Sequence, residues 1–181
     1  MANAADLDLR VHKSIRVNAP IERTFEVFTQ QMETWWPATH HIGKSPFVAI
    51  FIEPRVGGRW FEQNAEGAHC DWGKVLAWEP PHRVRLSWHV GPGHDSPDWV
   101  ADPTLDMAKA SEVEVRFIAE GPNATLVELE HSRLERHGEG AAQLREIFNS
   151  QGAWSFILAH LGAKIDGTPA PVLPPAPEQQ P

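Results

Sequence analysis

Ten histidines, one cysteine and an acid-rich loop carry most of the reactive chemistry in this chain of 181 residues. A metal site is the first chemistry to test. His40-His41, His82, His89, His94 and His137 form no HExxH and no pair at i, i+4, the spacing that puts two imidazoles on one helix face. Asp95, Asp98, Asp102 and Asp106 cluster near His94 but lack the alternation of a calcium loop, so a solvated loop is the expectation. No metal and no cofactor are expected. Cys70 has no second cysteine to pair with and cannot join a multi-cysteine zinc site; Asp71 beside it raises the thiol pKa, which argues against a thiolate nucleophile. No serine sits in a GxSxG elbow. Gly57-Gly58 is followed by neither Lys-Ser/Thr nor a helix, so it reads as turn chemistry and not as a phosphate cradle. His131 is the sharpest candidate. It alternates with Val127 and Leu129 and so points inward, where an imidazole either hydrogen-bonds or exchanges a proton with a ligand, or is paired within the core. The sequence places no carboxylate to orient it, and no catalytic residue is assigned.

The aromatic residues define the second chemistry. Eight Trp and eight Phe with no Tyr supply large rings without hydroxyls, suited to a thick core or to an apolar pocket. Trp35, Trp36, Trp60, Trp72, Trp88, Phe117, Phe148 and Trp154, together with His131, are the expected ligand-binding residues. For any one ring, close packing in the core is the competing assignment.

Positioning these side chains requires a sheet and a helix. Residues 9–17 alternate as a strand, with Lys13 the exception on the apolar face. Asn18 is placed to cap a helix with Pro20 in its first turn, and Ile21, Phe25, Phe28 and Met32 continue at helical spacing until Pro37 ends the region. Residues 47–53 and 59–63 form a hairpin about the glycine turn. Residues 72–79, 83–90, 112–119 and 125–133 read as further strands. In the second of these, Val84, Leu86 and Trp88 face one way, and Arg83, Arg85, Ser87 and His89 the other. The stretch 91–110 is rich in Gly, Pro, Asp and His without a period, a long loop. Residues 142–165 then place Leu144, Phe148, Gln151, Trp154, Leu158, Leu161 and Ile165 on one helical stripe. The tail from 167 onward, TPAPVLPPAPEQQP after its glycine, reads as extended or disordered.

Length favours one domain over 9–166, between a flexible N-terminus at 1–8 and the Pro-rich tail at 167–181. A net charge of −8 opposes nucleic acid as the main partner. The absence of an apolar run near 18 residues opposes a membrane span. The N-terminus does not read as a secretory signal, and with one cysteine a cytoplasmic location is expected.

Several patterns, in order, resemble one superfamily. They are VNAPIERTFEVFT, Trp35-Trp36, PRVGGRWFE, DWGKVLAWEPPHRVRLSW, SEVEVRFIAEGPNATLVELEH and the GAW within the last helix. Together they span about residues 9–165 and resemble the SRPBCC (START-like) superfamily, with the closer match in its branch named after the activator of heat-shock protein 90 ATPase. The resemblance implies an α+β helix-grip fold: a curved antiparallel β-sheet wrapped around a long C-terminal helix, two short helices after the first strand, and a cavity between sheet and long helix. Members include lipid carriers, polyketide cyclases and many bacterial proteins with no identified ligand; the chain departs from the simplest members in its 91–110 loop and its tail. The implied partner is a small apolar or aromatic ligand, and a homodimer is compatible with the sequence. The expected function is binding of that molecule. A cyclase or hydrolase using the same cavity and a chaperone-associated interaction domain are the alternatives.

Overall fold

Alternation of apolar and polar residues gives one curled sheet of seven strands. The structure, a computed structural model, describes residues 8–93 and 98–174. The strands are β1 (Val11–Val17), β2 (Phe47–Ile52), β3 (Arg59–Asn64), β4 (His69–Glu79), β5 (Arg83–Trp88), β8 (Ser111–Ala119) and β9 (Thr125–Ser132), with a small separate hairpin, β6 (Val90–Pro92) and β7 (Trp99–Ala101), between β5 and β8. The large sheet runs β1-β9-β8-β5-β4-β3-β2, and every pairing in it is antiparallel. The register follows the pattern. Val127 lies opposite Ile15, Leu129 opposite Val115, and His131 opposite Val113, so the inward residues of β5, β8 and β9 share one buried face.

That face is covered by helices. Helix α1 (Ile21–Gln30) buries Phe25 and Phe28, which meet Phe117 edge-on at centroid distances of 5.1 and 5.6 Å. A short 3-10 turn, Met32–Thr34, follows and supplies the second of the two expected short helices. Asn18 does not cap α1 by its side chain; Pro20 is the cap residue, and the Asn18 backbone N–H instead donates to Asp166 at 2.9 Å, tying this corner to the last helix.

The C-terminal helical run extends from Leu134 to Asp166 in pieces: a 3-10 segment (Leu134–Gly140), α2 (Ala141–Asn149) and α3 (Trp154–Asp166). The stripe expected to be continuous is interrupted at residues 150–153. Gln151 is exposed there, while Leu144, Phe148, Trp154, Leu158 and Leu161 stay buried on either side. Gly162 lets α3 press on β1: a Cβ at this position would lie 2.7 Å from the Ile15 side chain. Helix α3 ends at Gly167, which takes a left-handed φ of 67°. Residues 168–174 follow without regular structure. The expected flexible N-terminus, apart from Asp8, and the rest of the tail, 175–181, lie outside the described residues.

Ser87 in β5 and His89 just after it depart from the alternation. Both are buried because the neighbouring strand is drawn in. At Gly73 a Cβ would sit 1.8 Å from the Ser87 carbonyl oxygen, the Ser87 hydroxyl accepts the Lys74 N–H at 2.9 Å, and the β4–β5 register shifts between Val75 and Ala77. Gly73→Ala is therefore expected to destabilise the fold by about 2 kcal/mol or more, whereas Gly91→Ala, with open space around its Cβ position, stays within about 0.5 kcal/mol. Urea denaturation of both variants checks this; equal midpoints would contradict the close approach.

Candidate functional site

Between the inner face of the sheet and the α2–α3 break lies a cavity of about 310 Å³, at the small end of ligand pockets. Trp36, Trp72, Trp88, Phe148 and Trp154 line it. Their rings form a network of tilted and edge-on contacts: Trp88 meets Trp154 at 5.5 Å, Phe148 at 5.4 Å and Trp72 at 5.3 Å. The other four expected residues do not line it. Trp35 packs on Phe28, Phe117 sits under α1, and Trp60 backs the wall at 5.4–5.6 Å from Trp72 and Trp88. His131 lies behind Phe148, stacked on it at 4.5 Å.

Sequence reasoning missed part of the lining. Trp99, from the small hairpin, and Thr39, His40, His41 and Ile42, from the loop after Pro37, all border the cavity. Trp99 was hidden in a stretch without a period, and the THHI segment reads as a polar surface loop. The adjacent Trp35-Trp36 was the available signal, since a loop leaving a buried ring pair must run along the core.

The four wall indoles spend their N–H groups inside the protein. Trp36 donates to the His40 carbonyl at 2.7 Å, Trp72 to Glu62 at 3.0 Å, Trp88 to the Val90 carbonyl at 2.6 Å and Trp154 to His131 Nδ1 at 3.1 Å. These four indoles thus present ring faces and carbon edges to an occupant. Trp60 Nε1, behind them, has no hydrogen-bond partner among the described residues.

His131 has a defined protonation pattern. An indole N–H only donates, so His131 Nδ1 is the acceptor and the ring proton sits on Nε2. Nε2–H then donates to the Ser111 hydroxyl at 2.7 Å, and Ser111 O–H donates to His137 Nε2 at 2.7 Å. Burial, with a smaller contribution from His137, holds His131 well below the ordinary histidine range. It is a neutral, fully satisfied strut that places Trp154 and supports Phe148.

Glu62 is buried, and desolvation raises its pKa against the lowering effects of the Ile42 and Trp72 N–H groups and of His41. Burial, then Glu62 and Asp71, pushes the Cys70 thiol up, as its acidic neighbour led us to expect. Among the described residues no group of three or more His, Cys, Asp and Glu is placed to hold a metal ion, and no helix is long and apolar enough to cross a membrane.

The family model for Activator of Hsp90 ATPase homolog 1-like protein matches residues 18–163. The chain belongs to this family. The curled sheet and C-terminal helical run are the α+β helix-grip arrangement that the SRPBCC resemblance implied. Among solved structures, the chain is similar to the anthrahydroquino-gamma-pyrone synthase Txn09 complexed with SUM, at 36% identity over 84% of this chain and 94% of that one, with a TM-score of 0.57. It is similar to CalU16 from Micromonospora echinospora, at 26% identity over 90% and 77% of the two chains and a TM-score of 0.53. The self-sacrificing resistance protein CalC from Micromonospora echinospora shares the fold, at 24% identity over 88% and 96% and a TM-score of 0.58. No curated protein matches the chain.

Histidines that are buried or half-buried set an acid limit on the domain. Burial lowers the pKa of His40, His89, His131 and His137 below the usual 6.5. The unfolded chain therefore binds more protons than the fold just below that value. The stability they support is complete above pH 6.5 and declines as pH falls toward their folded pKa values. Glu62, shifted upward, acts in the opposite sense nearer the carboxylate range. Melting temperature is expected to be level from pH 8 to 7 and to drop steadily from pH 6.5 to 5; a profile flat to pH 5 would contradict neutral burial of these rings.

Proposed function

We propose that this family member binds a flat, largely apolar aromatic molecule in the cavity between the sheet and the α2–α3 break. The observation that carries this reading is the internal pairing of the four wall indole N–H groups. A wall of unpaired donors would favour a polar guest; a wall of ring faces and edges favours stacking with another ring. The cavity volume suits a compact molecule of a few fused rings better than a long acyl chain. The likeness to Txn09, described as an anthrahydroquino-gamma-pyrone synthase, supports the same ligand class and favours a second reading: an enzyme that closes a ring on such a molecule within the same cavity.

Binding is read by titrating anthraquinone against tryptophan fluorescence. Saturable quenching is expected, since four wall tryptophans and Trp99 surround the cavity. Trp99→Ala, at a half-buried position, is expected to weaken binding roughly two- to tenfold, the loss of about 0.5–1.5 kcal/mol for one aromatic contact. Quenching that never saturates, or an unchanged Kd in Trp99→Ala, would overturn the reading.

A further inference from the structure

We infer that His41 selects the ligand, accepting through Nε2 a hydrogen bond from a hydroxyl at the edge of a bound planar aromatic. The inference rests on the cavity reading and narrows it to hydroxylated aromatics of the phenol type. It comes from accounting for the polar groups at the cavity mouth. His40 commits both nitrogens: Nε2–H donates to the Gly152 carbonyl at 2.6 Å, and Nδ1 accepts from Thr39 Oγ1 at 2.9 Å. That bond also occupies the Thr39 hydroxyl proton. Ser150, on the exposed rim, donates its hydroxyl to the Ile147 carbonyl at 2.7 Å. His41 differs. Its Nδ1 faces the Ile42 carbonyl oxygen at 3.3 Å; a carbonyl only accepts, so the proton of the neutral ring is on Nδ1 and the lone pair is on Nε2. Nε2 makes no hydrogen bond among the described residues, and His41 is one of the residues that line the cavity.

The surrounding backbone holds that arrangement. Both oxygens of the buried Glu62 carboxylate accept the Ile42 N–H, at 3.1 and 3.3 Å, and the Gly43 N–H donates to the Trp99 carbonyl at 2.8 Å. Glu62 acts as a positioning residue: it fixes the peptide whose next carbonyl fixes the His41 tautomer, while it also accepts the Trp72 indole. An imidazole nitrogen without a partner, on a preorganised loop at the edge of a mostly apolar cavity, discriminates by the penalty of leaving a donor or acceptor unmatched.

The test uses three probes of nearly one shape: anthraquinone, 2-hydroxyanthraquinone and 2-methoxyanthraquinone. Wild type is expected to bind the hydroxy compound about tenfold more tightly than the other two. His41→Phe is expected to bind all three within about threefold of one another, with saturable binding and an unchanged circular dichroism spectrum reporting a folded protein. His41→Gln, whose amide oxygen also accepts, is expected to recover part of the preference. Equal binding of the hydroxy and methoxy compounds by wild type, or a preference that survives in His41→Phe, would overturn the role of His41 and leave aromatic binding standing. Failure of wild type to bind anthraquinone at all would overturn the cavity reading itself.

Discussion

The hydrogen bond from the Trp154 indole to His131 Nδ1 is the constraint on which the cavity depends. It joins the first residue of α3 to the C-terminal end of β9, at the point where the helical run is broken. The same imidazole carries Phe148, near the end of α2, on its face, and meets Trp88 at 5.2 Å. One neutral ring thus sets both banks of the α2–α3 break against the sheet. Without it, a buried indole N–H would lose its acceptor and the Ser111 hydroxyl one of its two partners, a larger penalty than the loss of one contact. The Ser111–His137 pair completes the arrangement and orders every proton along it.

The interruption at residues 150–153 is what separates a hollow from a solid core. A continuous helix would carry Phe148, Gln151 and Trp154 as one ridge against the sheet. Instead the chain turns out at Ser150, Gln151 faces solvent, and the Gly152 carbonyl is held by His40 across the cavity mouth. The loop after Pro37 and the last helices are therefore latched together around the opening. Toward α1, Phe25 and Phe28 instead pack edge-on against Phe117.

The strands were legible because period-two alternation reports the buried face directly, and the inward direction of His131 followed from Val127 and Leu129. Its role did not follow. Whether an inward histidine meets a ligand or a neighbour depends on residues distant in sequence, here Ser111, Phe148 and Trp154. The helix break was masked by its own spacing, since Leu144, Phe148, Trp154 and Leu158 satisfy a continuous stripe whether or not residues 150–153 are helical; Gly152 was the local sign. Burial of Ser87 and His89 was illegible because the cause lies on the neighbouring strand, in the missing side chain of Gly73. The cavity mouth, built from Thr39, His40, His41 and Trp99, comes from segments without a period, where pattern carries no orientation.

In the proposed function a flat aromatic occupies the space between the sheet and the α2–α3 break without altering the walls. A crystal structure of the protein grown with anthraquinone tests it most directly. The ring system is expected against Trp36, Trp88, Phe148 and Trp154, with the four wall indoles still donating to His40, Glu62, Val90 and His131. A ligand seated outside the cavity, or a cavity filled by its own side chains at saturating anthraquinone, would contradict it.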